Sequence, residues 1–344
     1  MQFLADLIPL LSSPSVSTGV LNALAPRRGI MTFTGLPYGP EPRHKLDLYA
    51  PQSAESAPVV IFLYGGGWDS GDRKLYRFVG ASLAAAGLVC VIPDYRLWPA
   101  VKFPSFMGDA ARAVAWTRAR IASMGGDPHR LFLMGHSAGA HMAALLGLDG
   151  HHLSGFGMDP RRDLRGVIGL AGPYDFLPLR DETLKNIFGP EEDWPGSQPI
   201  NFAHGEAPPM LLATGDADRA VLPRNTLSLS ERLKTLGAEV EAIIYPRIGH
   251  ELMIGVFSWG LEAGLPLYWA ISTLFSIVQQ YFITGWGKLF EVPQFGGLGG
   301  LLGGPSPNGN APRARQTERP ARRPAPARQP SGGAANRGKR KRAG

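Results

Sequence analysis

Short apolar runs punctuate the first 250 residues of the chain: residues 58–63 (PVVIFL), 88–92 (LVCVI), 131–134 (LFLM) and 209–214 (PMLLAT), with residues 240–245 (VEAIIY) interrupted by one charge. Runs of this length, rich in branched side chains and lacking polar alternation, suit strands buried on both faces of a parallel sheet. Helical spacing lies between them. Asp109 is placed to cap a helix through about Ser123, with Ala111, Val114, Ala115 and Ile121 on one side. Residues 223–236 set Leu229, Leu233 and Leu236 at helical intervals, with Glu231 and Lys234 between them. Strands alternating with helices predict an α/β architecture, a mostly parallel central sheet with helices on both faces. Residues 173–205 break the pattern. This long stretch is rich in Pro, Gly and acidic residues, with Phe188 and Trp194, and reads as a cap or pocket loop. Residues 1–25 read as a short helix or cap docked on the domain; residues 1–11 are apolar but carry Asp6 and no basic stretch, which makes a poor signal peptide.

Composition narrows this picture. With 344 residues and 44% hydrophobic content, the chain is long enough to bury a large core in an undivided α/β domain. Its single cysteine, Cys90, falls inside an apolar run and reads as packing, and one cysteine forms no intrachain disulfide. The eight histidines lack metal-ligand spacing with Cys or acidic partners, so neither a metal nor a cofactor is expected.

The candidate chemistry gathers where apolar runs end. The run 131–134 passes into Gly135-His136-Ser137-Ala138-Gly139 and then into a stretch of small residues. A buried strand, G-x-S-x-G and a helix form the nucleophile elbow, which presents the serine hydroxyl on a turn too sharp for flanking side chains. Ser137 is the expected nucleophile, and the amide of Ala138 points to where an oxyanion would form. Upstream, the run 58–63 ends in Tyr64-Gly65-Gly66-Gly67-Trp68, three glycines whose amides are open to a ligand. A phosphate loop would need a following Gly-Lys-Ser/Thr, which is missing. Gly65, Gly66 and Gly67 are the expected oxyanion hole, although Tyr64 stands where the H-G-G-G form of this loop has His; a phenol still donates a hydrogen bond that stiffens the loop. Downstream, Gly215-Asp216-Ala217-Asp218 follows the fourth run, and Gly249-His250 follows the fifth, giving the chain order Ser, acid, His. His250 is the expected base. Asp218, deeper in its loop and just before Ala220-Val221, is preferred over Asp216 as the residue that orients it, and Asp216 is expected to bond the turn.

Five motifs carry a resemblance: Y-G-G-G-W at 64–68, P-D-Y-R-L at 93–97, G-G-D-P at 125–128, G-H-S-A-G at 135–139 and G-P-Y-D-F at 172–176. Residues from about 19 to 250 resemble the α/β-hydrolase esterases of the hormone-sensitive-lipase and carboxylesterase kind. The resemblance implies an α/β-hydrolase domain over residues 1–251 that cleaves a small or acyl carboxylic ester through Ser137, His250 and Asp218. Related branches include feruloyl esterases, prenylcysteine methylesterases and kynurenine formamidases, so amide or formamide cleavage is the alternative within the enzymes. A membrane-tethered interaction protein with an incidental hydrolase domain is the alternative outside them.

The chain changes character after His250. Residues 263–287 contain no charged residue, long enough for a bilayer crossing, with Tyr268, Trp269, Tyr281 and Trp286 flanking the run. The segment 252–290 resembles the last transmembrane helix of the YidC-type membrane protein insertases, and residues 252–291 are expected as an apolar helix, spanning a membrane or closing the hydrolase. Residues 292–344 form a Gly/Pro/Arg-rich tail expected to be disordered. Within it, residues 313–342 carry eleven Lys and Arg against Glu318, a net +10, while the whole chain is +7. The basic excess thus belongs to the tail, whose charge suits anionic lipid or RNA. The expected location is cytoplasmic and associated with the bacterial inner membrane.

Overall fold

In the computed structural model, which describes residue 19 and residues 21–259, the apolar runs become strands of one sheet. Its eight strands are β1 (Ile30–Pro37), β2 (Lys45–Pro51), β3 (Ala57–Leu63), β4 (Val89–Pro93), β5 (Gly126–His136), β6 (Leu164–Leu170), β7 (Met210–Gly215) and β8 (Val240–Tyr245), in spatial order β1-β2-β4-β3-β5-β6-β7-β8. The first two are antiparallel additions at one edge, and β4 through β8 pair in parallel. This is the α/β-hydrolase arrangement. The central strand β3 buries Val59, Ile61, Phe62 and Leu63 completely, as a two-sided strand in a parallel sheet must.

Helices cover both faces: α1 (Arg77–Ala85), α2 (Ser105–Arg120), α3 (Ala138–Leu148), α4 (Glu182–Phe188), α5 (Arg224–Thr235) and α6 (His250–Trp259). All eleven residues of α3 are buried, which explains its small side chains: the helix packs tightly against β5 and β6. One expectation fails here. Asp109 does not cap α2; the helix starts at Ser105, and the carboxylate turns inward to the Arg96 guanidinium, 2.7 Å from Nη2. Residues 21–24 are helical, and Asn22 docks this segment by accepting from the Phe78 amide at 2.8 Å.

Helix α6 continues unbroken from His250 to Trp259, with Met253 and Ile254 buried against the domain. Among the described residues, no helix is long and apolar enough to cross a membrane. The run 263–287, the insertase-like segment beyond Trp259, the basic tail, residues 1–18 and residue 20 lie outside the described residues.

Candidate active site

The strands β3, β5, β7 and β8 all leave the sheet at its carboxyl edge, and Ser137, Asp218, His250, the triglycine loop and Ala138 follow the ends of these strands in loops or the first residue of a helix. Open parallel sheets bind ligands there. At the end of β5 the chain reverses through Ser137, whose backbone adopts φ 54° and ψ −122°. Such a conformation is strained for a residue with a side chain, by about 1–3 kcal/mol, and surrounding packing must impose it. That packing is visible at Gly139, where a Cβ would lie 1.9 Å from the Leu63 carbonyl oxygen. Helix α3 thus lies directly against the end of β3, and the turn between β5 and α3 has no room to relax.

Two loops meet Ser137 from the far side. The segment 216–218 is joined to the segment 245–248 by backbone bonds, Asp216 N to Tyr245 O at 3.0 Å and Ala217 N to Ile248 O at 3.1 Å. The Asp216 carboxylate accepts from the Arg247 amide at 2.5 Å, so it clamps the neighbouring loop rather than its own turn. Asp218 points inward and is 1% exposed. One oxygen accepts the amides of Ala220 and Val221, at 3.0 and 2.8 Å. The other accepts from His250 Nδ1–H at 2.7 Å. That bond sets the tautomer, since a carboxylate only accepts, and leaves His250 Nε2 as an acceptor for the Ser137 hydroxyl at 2.9 Å. Ser137, His250 and Asp218 are therefore joined in one relay, and Asp216 stands outside it.

The triglycine loop lies against Ser137. A Cβ on Gly65 would fall 2.9 Å from Ser137 Cβ, while Gly66 and Gly67 take φ of 129° and 58°, open to glycine and strained for other residues. The Gly66 carbonyl accepts from the Asp69 and Ser70 amides at 3.1 and 2.9 Å, closing a tight turn. Behind the loop, Tyr64 donates its hydroxyl to Asp94 at 2.9 Å and accepts from Arg43 at 2.8 Å. Burial pushes the Tyr64 phenol well above its usual range, so it remains a neutral donor. Asp94 also receives the Arg73 guanidinium and, at 2.8 Å, the Arg73 amide. Arg73 bonds Asp47 as well, at 2.8 Å. Sequence reasoning left Arg73 and Asp47 unremarked, and Asp94 appeared only inside a motif.

In front of the loop the surroundings are aromatic. Trp68 stacks on Phe176 with centroids 6.1 Å apart and meets Phe188 and His141 edge-on at 4.9 and 5.0 Å. Phe176 and Phe188 belong to the excursion after β6, so residues 173–205 pack beside the triglycine loop. His141 donates Nε2–H to the Ser197 carbonyl at 2.7 Å, and burial pushes its pKa down to about 4. Among the described residues, no group of His, Cys, Asp and Glu is arranged to hold a metal ion.

A serine–histidine–aspartate relay on a strained elbow, beside a triglycine loop at the carboxyl edge of a parallel sheet, defines the class as a hydrolase-type α/β fold. The BD-FAE family model matches residues 46–233, more than half of the chain, and the chain belongs to that family. It is 30% identical over 258 residues to esterase LipC of Mycobacterium tuberculosis, covering 69% of this chain and 64% of that protein. It is 29% identical to the isoprenylcysteine alpha-carbonyl methylesterase ICME of Arabidopsis thaliana, covering 60% of this chain and 54% of that one. The chain thus spans between half and two thirds of the length of these relatives. The crystal structure of esterase B from Lactobacillus rhamnosis shares the fold, with a TM-score of 0.63 at 20% identity over 81% of this chain and 96% of that one.

Proposed function

We propose that the protein is a serine carboxylesterase in which Ser137 is the nucleophile, His250 the general base and Asp218 the residue that orients it. The carrying observation is the continuous relay of 2.9 and 2.7 Å from Ser137 Oγ through His250 to Asp218. Ser137 Oγ attacks the ester carbonyl carbon while His250 Nε2 takes the hydroxyl proton. As the tetrahedral intermediate collapses, the C–O bond to the alcohol breaks and His250 returns the proton to the leaving oxygen. A water molecule, activated by the same imidazole, then cleaves the acyl-enzyme to release the acid. Amides of the 65–67 loop and Ala138 are the donors for the oxyanion. No metal or cofactor enters this sequence. The esterase relatives support an ester as substrate, while formamide cleavage of the kynurenine formamidase kind is the competing chemistry.

The test is hydrolysis of p-nitrophenyl esters of graded acyl length, with a fluorophosphonate probe as a direct reporter of the nucleophile. Labelling is expected at Ser137 alone. Ser137→Ala is expected to lose on the order of 10⁶ in kcat with the fold retained. A variant keeping a tenth of its activity refutes the assignment. Asp218→Asn is expected to cost about 10⁴ in kcat by presenting the wrong tautomer, and Asp216→Asn far less. The reverse ranking moves the acid to Asp216.

We also propose that residues 263–287 attach the enzyme to a membrane, with the hydrolase domain on the cytoplasmic side. The support is the uncharged run and its flanking aromatics. Sedimentation with membranes that survives both high salt and carbonate is expected, because the basic tail alone would be released by salt. Full recovery in the soluble fraction at low salt refutes this attachment.

A further inference from the structure

His136, the residue before Ser137, plays no part in the relay, yet its side chain is buried beside it. His136 is 4% exposed. Its Nε2 lies 3.2 Å from the backbone carbonyl oxygen of His250. A carbonyl only accepts, so Nε2 carries the proton and Nδ1 keeps a bare lone pair. The His136 and His250 rings sit 5.0 Å apart, inclined at 40°. On its other side the His136 ring meets the triglycine loop, where a Cβ on Gly65 would fall 3.1 Å from Nδ1. One imidazole therefore lies between the elbow, the loop that carries the base and the loop expected to hold the oxyanion. The charged and titratable groups that bear on it are His250 and Asp218, and burial together with the neighbouring His250 pushes its pKa down to about 3. It stays neutral through the working range and adds no positive charge beside a His250 imidazolium.

We propose that His136 is a positioning residue: by donating Nε2–H to the His250 carbonyl it holds the backbone of the base so that His250 Nε2 stays within reach of Ser137 Oγ. The proposal rests on the serine-esterase reading above. His250 stands at the junction of a loop and the first turn of α6, where nothing in a regular ladder fixes the approach of its ring to Ser137. Displacements of about 1 Å in such a contact cost on the order of 10²-fold in rate, so one backbone anchor is enough to matter.

The experiment compares His136→Leu, which fills similar space without a donor, with His136→Gln, whose amide nitrogen reaches the Nε2 position. Readouts are kcat and KM on a p-nitrophenyl ester, the rate of fluorophosphonate labelling at Ser137 and the thermal unfolding midpoint. His136→Leu is expected to lose roughly 30–100-fold in kcat, with KM within threefold and labelling slowed in parallel. His136→Gln is expected within about fivefold of wild type, which a purely space-filling role would not produce. If His136→Leu does not fold, His136→Asn, polar but too short to reach the carbonyl, takes its place beside His136→Gln. A donor-less variant that keeps more than a third of wild-type kcat, or a Gln variant no better than it, overturns the proposal. Wild-type protein that fails to label at Ser137 overturns the esterase reading itself, so the two failures are distinguishable.

Discussion

The two sides of the triglycine loop are built from opposite materials. Behind Tyr64 lies a buried ionic cluster: Asp47, Arg73 and Asp94 have side chains less than a tenth exposed, and each group is bonded to the next. In front, around Trp68, lies an aromatic cluster of Phe176, Phe188, Phe103 and Phe106 with His141 as its one ionisable member. Directional bonds fix where a backbone lies, because each tolerates little displacement. Aromatic packing sets a surface's shape and tolerates tilting and sliding. If the loop holds the oxyanion, as proposed above, it has use for both, with rigidity behind and contour in front. On the esterase reading proposed above, the polar side serves turnover and the aromatic side selection.

The sharpest way to break this contrast is to remove one charge from the anchor. Asp94→Ala would leave Arg73 buried beside a single remaining carboxylate and deprive Tyr64 of its acceptor. Breaking one partner of a buried ionic cluster costs about 3–5 kcal/mol. Urea unfolding is expected to show a loss of that size, and Asp94→Leu combined with Arg73→Met is expected to recover part of it. If Asp94→Ala unfolds within 1 kcal/mol of wild type, the cluster is not an anchor.

Acid should separate the two sides by a second route. His141 has a folded pKa of about 4 in place of 6.5, so between those values the unfolded chain holds a proton that the folded one refuses. Stability therefore falls as pH falls through that window. At pH 5 the loss is about 2 kcal/mol from His141. His136, pushed down to about 3, adds a comparable loss in the same direction. For Asp109, which pairs with Arg96 and His44 outside both clusters, the order is reversed. Burial tends to raise the Asp109 pKa, but hydrogen bonds from Arg96 and His44 overcome it and leave it below the usual carboxylate range. Asp109 therefore stabilises the fold at pH values above the ordinary carboxylate range and loses that contribution only in stronger acid. Denaturant midpoints between pH 7.5 and 5 are expected to fall in wild type and to fall less steeply in His141→Gln. An unchanged slope in that variant removes His141 as the cause.

The same contrast explains what sequence could reveal. The elbow was legible because it is local: an apolar run, two glycines four residues apart and a stretch of small residues specify strand, turn and helix within twenty positions. The relay was nearly as plain, since its members follow three of the five apolar runs in the order Ser, acid, His. Asp47, Arg73 and Asp94 come from β2, the start of a short 3-10 helix and the residue after β4, so no spacing connects them before the sheet brings them together. Asp109 misled for a related reason. An acid before a helical apolar pattern looks like a cap, and only its contact with Arg96 shows that it faces inward. Its helix begins four residues earlier, in a turn without any charged side chain for the pattern to register.

Tyr64 supplies the smallest expected effect and the finest resolution of the comparison. Its hydroxyl donates to Asp94 and accepts from Arg43, while its backbone carbonyl accepts from the Tyr95 hydroxyl at 2.8 Å. Its ring stacks on Tyr95 and Tyr76, with centroids 4.8 and 5.5 Å away. Tyr64→Phe keeps the ring and the backbone bond and removes the hydroxyl alone. Asp94 retains both of its bonds to Arg73, so no charge is left unpaired, and the stability loss is expected at about 1 kcal/mol, the ordinary worth of one hydrogen bond. The loop above it should loosen without moving away, giving a fall of a few-fold in kcat and little change in KM or acyl-length preference. On the same reading, Phe176→Ala on the aromatic side is expected to shift acyl-length preference toward longer chains. If Tyr64→Phe instead alters acyl-length preference and leaves kcat untouched, the division between an anchoring side and a selecting side fails, because the residue bonded most directly to the ionic cluster would then be acting on the substrate's shape.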